Sequence, residues 1–162
     1  MNATVTTAYV EPVVKTIRVK ATPARAFEVF TRSTAWWNPN HSINPTKAAI
    51  EEVVLEPRVG GRWYERGVDG SECDWGRVLA WEPPKRVVLQ WQITTQWTYD
   101  ANLHTEVEVR FEPQGSETLV TLEHRLLERW GDKARETRDS VNGGWGALLD
   151  RFAAIVEGRP LA

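Results

Sequence analysis

The chain has 162 residues, 41% hydrophobic and 26% charged, with a formal net charge of −2. This is the size of one globular domain, able to bury about two-thirds of its unfolded surface, and the charge balance argues against nucleic acid as a partner. The single cysteine, Cys73, leaves no internal disulfide to form and fits a reducing compartment.

The opening "MNATVTTAYVEP" lacks a basic segment followed by an apolar core, and no apolar run is long enough to cross a membrane. The expected location is the cytoplasm, with no membrane contact. Residues 1–10 are expected to form a flexible lead-in, 11–158 a single domain, and 159–162 a tail. "VVKTIRVKA" alternates, with Val13, Ile17, Val19 and Ala21 on one face, and predicts a strand. In "TPARAFEVF", Thr22 caps a helix, Pro23 opens it, and Ala26, Phe27 and Phe30 share a side.

Residues 33–50 hold two X-Pro steps and several Asn and Ser, which predicts irregular or short helical structure. From Glu52 six short stretches rich in Val, Leu and Trp are parted by "VGG", "VDGSE", "PPK" and "PQGSE". They predict an antiparallel meander with one covered face. The last segment switches to helical spacing through Val141, Trp145, Leu148, Leu149, Phe152, Ile155 and Val156, in a helix expected from near Asp132. Gly143 and Gly144 interrupt it; they allow either a close approach to the sheet or a mobile stretch at a cavity mouth, and the first is preferred. The class is α+β.

The glycine pair in "PRVGGRWYE" raises a choice between a phosphate loop and a hairpin. A strand-like "RWYER" follows it and no "GK[ST]" ending is present, so it predicts a hairpin turn. The three histidines have no metal-ligand spacing, and no metal or cofactor is expected. In "TLVTLEHRLL", His124 falls on the apolar face with Val120 and Leu122, as a hydrogen-bonded core residue or as a pocket acid/base. Trp63 and Glu65 share one face of "RWYER" and Tyr64 the other. Either Glu65 enters the interior as a proton donor or acceptor, or it is solvated at a strand end. Glu72 reads as solvated and Cys73 as a small strand-edge residue. Nucleophile motifs are absent.

The ordered strings "ATPARAFEVFT…WW", "EPRVGGRWYE", "WGRVLAWEPPKRVVLQWQI", "TEVEVRFEP…TLVTLEHR" and "GWGALLDRF" resemble the SRPBCC superfamily. Within it they are most similar to the branch related to the activator of the ninety-kilodalton heat-shock chaperone's ATPase, the AHSA type. The resemblance spans roughly residues 13–157. It implies a helix-grip fold: a curved antiparallel sheet wrapped around a long C-terminal helix, with two small helices after the first strand and an apolar cavity between sheet and helix. It transfers no catalytic set.

The expected function is binding of an apolar, aromatic or fused-ring molecule in a cavity walled by Trp63, Trp75, Trp91, Phe111, Leu122, Trp145, Leu149 and Phe152, with Glu65 and His124 as polar anchors. The alternatives are a cyclase or hydrolase using Glu65 and His124 as an acid/base pair, and an interaction protein contacting a chaperone. A homodimer is expected from the nine tryptophans.

Overall fold

In the computed structural model, which describes residues 8–161, the first alternating stretch becomes β1 (Val13–Val19), with both terminal valines sealed inside. The expected lead-in lies mostly outside the described residues, though Val10 within it is buried in the core. Thr22 accepts a hydrogen bond from the Arg25 backbone N–H at 3.2 Å, and Pro23 opens α1 (Pro23–Thr31). Pro fits there because its missing N–H would have no helical partner. A 3-10 turn at Ser33–Ala35 is the second small helix, and residues 36–49 run without helix or strand.

The next stretches form β2 (Ile50–Leu55), β3 (Arg62–Gly67), β4 (Glu72–Glu82), β5 (Arg86–Trp91), β6 (Thr105–Gln114) and β7 (Glu117–Arg125). Together with β1 they make one seven-stranded antiparallel sheet in the order β1-β7-β6-β5-β4-β3-β2. The "VGG" hairpin joins β2 to β3. Gly60 has φ +81°, and a Cβ on Gly61 would stand 2.6 Å from the Glu56 carbonyl oxygen, so each glycine meets a separate steric demand.

The closing helix starts two residues later than its spacing suggests. A 3-10 turn over Leu127–Lys133 comes first, broken at Gly131 (φ 75°, ψ −139°), and α2 then runs Ala134–Val156. The carboxyl half of α2 is held by a close aromatic cluster. Phe152 lies 5.5 Å from Phe30 and 5.8 Å from Trp36, ring centre to ring centre, while Phe111 lies 5.3 Å from Phe27 and 5.8 Å from Phe30. Edge-to-face pairs of this kind add to the burial they bring. Sheet, α1 and α2 therefore meet tightly at one end.

The opposite face of the sheet is charged and compensated. Arg125 bridges Glu106, Glu108 and Glu123, and Glu108 also pairs with Arg86. Tyr64 points to this side and is covered by the Arg62 guanidinium, 3.9 Å from its ring centre. That cover explains why Tyr64 is buried although Trp63 and Glu65 are the residues that face inward.

The sheet bends where β3 and β4 slip register: Trp63 pairs with Gly76 and Tyr64 with Asp74, leaving Trp75 as an extra, bulged residue. Bulges re-aim a side chain, and here the re-aimed one is an indole. Gly76 makes the bulge possible, because a Cβ there would lie 1.6 Å from the Gln90 carbonyl oxygen. The helix glycines behave differently. A Cβ on Gly143 or Gly144 would meet nothing within 4 Å, so the expected close helix–sheet approach at these positions does not occur.

The two kinds of glycine predict opposite outcomes in denaturant unfolding. Gly76→Ala is expected to lose several kcal/mol or fail to fold, since backbone must move to admit the methyl. Gly143→Ala is expected to gain about 0.5–1 kcal/mol from helix propensity alone.

Candidate functional site

Where the amino half of α2 stands away from the sheet, a cavity of about 370 Å³ opens. Its wall is mostly aromatic. Trp37 comes from the irregular segment, Trp75 from the β4 bulge, Trp91 from the end of β5, Trp97 from the β5–β6 loop and Trp145 from α2. The rings touch in series: Trp37 and Trp75 at 4.9 Å, Trp37 and Trp145 at 6.1 Å, Trp91 and Trp145 at 5.7 Å between centres. Ile43, Ile93, Val141, Gly144 and Leu148 fill the gaps, and Asn40, His41, Ser42 and Ser140 supply the polar groups. The open space over Gly144 is this cavity.

Two buried polar side chains hold the wall without joining it. Glu65 is fully sealed from solvent. Its carboxylate accepts from the Trp75 indole N–H at 2.8 Å, from the Ile43 backbone N–H at 3.0 Å and from the Ser42 hydroxyl. One carboxylate therefore ties the bulged tryptophan to the loop that forms the cavity edge. The same loop is clamped from the helix, where Arg151 donates to the carbonyls of Trp36 (2.8 Å) and Trp37 (3.3 Å).

His124 is the second pin. The Trp145 indole N–H, which can only donate, points at Nδ1 (3.2 Å), which leaves the ring proton on Nε2 to be donated to Thr105 Oγ1 at 2.7 Å. Thr105 donates onward to the Trp91 carbonyl at 3.4 Å. Burial pushes the His124 pKa down to about 3, so the ring is neutral and fully bonded. This is the core reading of His124.

Of the expected cavity residues, the structure brings Trp75, Trp91 and Trp145 onto the wall. Trp63 lies behind them, 5.5 Å from Trp75 and 5.7 Å from Trp91. Phe111, Leu122, Leu149 and Phe152 lie in the hydrophobic core and do not line the cavity, nor do Glu65 and His124. Period-two alternation tells which face a residue takes, but not how far along the sheet the helix closes against it. The wall residues missed include Trp37, the polar edge of Asn40, His41 and Ser42, the aliphatic Ile43 and Ile93, and Trp97. The hint for the last was a bulky residue in a turn: Trp97 has φ 59°, a backbone region seldom used by large side chains, and is 44% exposed.

Among the described residues no group of three or more His, Cys, Asp or Glu side chains is placed to hold a metal ion, and no helix is long and apolar enough to cross a membrane. Cys73 is buried, and desolvation followed by the charges of Glu65 and Asp74 raises its thiol pKa to about 11, which leaves it unreactive.

A curved seven-stranded sheet gripping a long terminal helix, with an aromatic cavity between them, defines a helix-grip domain. The family model described as activator of Hsp90 ATPase homolog 1-like protein matches residues 20–157. The chain belongs to this AHSA1 family, within the SRPBCC fold. Among solved structures it is similar to an anthrahydroquino-gamma-pyrone synthase, Txn09, complexed with SUM, at 39% identity over 91% of this chain and 97% of that one, with a TM-score of 0.64. It is also similar to CalC, a self-sacrificing resistance protein from Micromonospora echinospora (28% identity, 90% and 94% coverage, TM-score 0.67). The Aha1 dimer from Colwellia psychrerythraea shares the fold at 18% identity, covering 91% of this chain and 97% of that one, with a TM-score of 0.63. No curated protein matches the chain in sequence.

The two pins give separable predictions. In the unfolded chain His124 titrates near 6.5, and in the fold only near 3. Between those values the unfolded state holds the extra proton, so stability falls as pH drops from 6.5 toward 3, by up to roughly 5 kcal/mol from this group. Urea unfolding across that range is expected to show a flatter pH dependence in His124→Gln. Glu65→Gln, which trades an acceptor oxygen for a donor against three donors, is expected to cost about 1–3 kcal/mol in the same urea measurement at neutral pH.

Proposed function

We propose that this protein binds a flat, mostly apolar fused-ring molecule of the aromatic polyketide class in the cavity between sheet and helix. The observation that carries this is the wall itself: five tryptophans from five separate segments around about 370 Å³, with polar groups confined to four residues. That volume falls within the range of small-molecule pockets, and stiff indole faces suit planar rings at low entropic cost. The Trp91 indole N–H adds support. It is buried without an acceptor among the described residues, a cost that a ligand carbonyl beside it would relieve.

A second reading, ring-closing catalysis, is favoured by one observation: the 39% identity, over nearly the whole of both chains, to the pyrone synthase Txn09. In that reading the acid/base work does not fall to Glu65 and His124, which are sealed behind the wall with their hydrogen bonds filled. A chaperone partner or a second copy has less to recommend it. Apart from Trp97 at the cavity, the exposed large apolar residues are Tyr9, Val14, Val59, Val68, Leu79 and Leu161, which are spread widely along the chain.

Thermal unfolding with increasing 9,10-anthraquinone tests the proposal. A ligand that binds the native state alone adds about 2.7 kcal/mol at a hundred times its Kd, so Tm is expected to climb with concentration. Trp97→Ala is expected to weaken binding about tenfold while leaving the ligand-free Tm unchanged, because the ring is 44% exposed. A Tm indifferent to anthraquinone counts against the proposal.

A further inference from the structure

The polar groups of the cavity gather along its edge. Asn40, His41 and Ser42 are consecutive, and Ser140 is contributed by α2. Two of these have already spent their protons. The Ser42 hydroxyl donates to Glu65, and the Ser140 hydroxyl donates to the Glu136 carbonyl at 3.4 Å. A hydroxyl so committed offers an incoming molecule only its lone pairs.

His41 adds an acceptor beside the Asn40 side-chain amide, which can both donate and accept. Its ring sits edge-on to Trp37, centre to centre 6.5 Å, and its backbone carbonyl is fixed by the Trp37 indole N–H at 3.1 Å. Neither ring nitrogen is hydrogen-bonded to another described residue. Partial desolvation of the ring and then the positive charge of Arg151, reaching from α2, lower its pKa, which favours the neutral imidazole with one bare acceptor nitrogen. Among the described residues it is the one histidine on the wall, and no Asp, Glu, Lys or Arg joins it there.

We infer that this edge recognises an aryl hydroxyl on the rim of a planar polycyclic ligand, with the His41 imidazole accepting its hydrogen bond. The inference rests on the cavity being the ligand site, as proposed above. It narrows the ligand class from fused aromatic rings to hydroxylated ones, and it assigns the contact to a residue that the chain pattern did not single out. In a ring closure the same contact places His41 to act on the reacting oxygen. The hydroxyl proton passes to the imidazole as the oxygen forms a C–O bond to the carbon β to a conjugated ketone. The displaced π pair moves toward the α carbon, and the imidazolium returns the proton there. The sum is an isomerisation that needs no co-reactant.

The test is quenching of tryptophan fluorescence by 2-hydroxyanthraquinone and by 9,10-anthraquinone in the wild type, His41→Phe and His41→Gln. The wild type is expected to prefer the hydroxylated compound by roughly three- to tenfold, the scale of one net hydrogen bond. His41→Phe is expected to bind both equally well, keeping its affinity for anthraquinone. His41→Gln, whose amide oxygen can accept, is expected to regain part of the preference. Because His41 is exposed at the cavity edge, both variants are expected to fold with unchanged Tm. A hydroxyl preference that survives in His41→Phe overturns the assignment while leaving the cavity as the site. Equal loss of both compounds in that variant also overturns it, since the ring would then be packing rather than accepting. No quenching by either compound in the wild type overturns the cavity reading and this inference with it.

Discussion

A carboxylate taken wholly out of water must have its oxygens filled by donors, and the cavity of this protein is arranged around one that is. Glu65 sits at 0% exposure and draws in an indole from β4, a backbone N–H and a hydroxyl from the segment after α1. An uncompensated charge at that depth would cost many kcal/mol, so the loop is not free to drift from the sheet while Glu65 stays buried. Arg151 secures the same loop from the helix side. The edge of the cavity is thereby fixed to both halves of the grip.

The hollow survives because apolar filling is uneven along α2. Phe152 closes the carboxyl half against Phe30 of α1 and Trp36, whereas Val141, Gly144, Trp145 and Leu148 farther toward the amino end face open space. Trp145 is kept from collapsing inward by its bond to His124, and His124 in turn is kept by Thr105. A histidine that remains neutral through the acidic range suits this position, because it accepts on one side, donates on the other, and brings no charge into an apolar wall.

Much of the architecture was legible in the chain. Alternation located all seven strands, Thr22-Pro23 placed the start of α1, and helical spacing picked out the face of α2. The site was less legible. Alternation in "RWYERG" paired Trp63 with Glu65 but left the inward face undecided, because the deciding fact is Arg62 lying over Tyr64. An isolated glycine in "CDWGRV" was the trace of the bulge that turns Trp75 inward, and its meaning depends on a backbone 14 positions away at Gln90. The polar run "NHS" looked like loop. Which of its protons are already spent depends on long-range partners, and local pattern carries no information about those.

The nine tryptophans supply their own reporters. The most direct measurement is a two-dimensional proton–nitrogen NMR titration of the nine indole N–H signals with anthraquinone-2-sulfonate. If the tryptophan-walled hollow is the ligand site, the resonances of Trp37, Trp75, Trp91, Trp97 and Trp145 shift together with one saturating Kd, and those of Trp36 and Trp81 stay in place. Shifts confined to the latter pair, or none at saturation, would contradict the account.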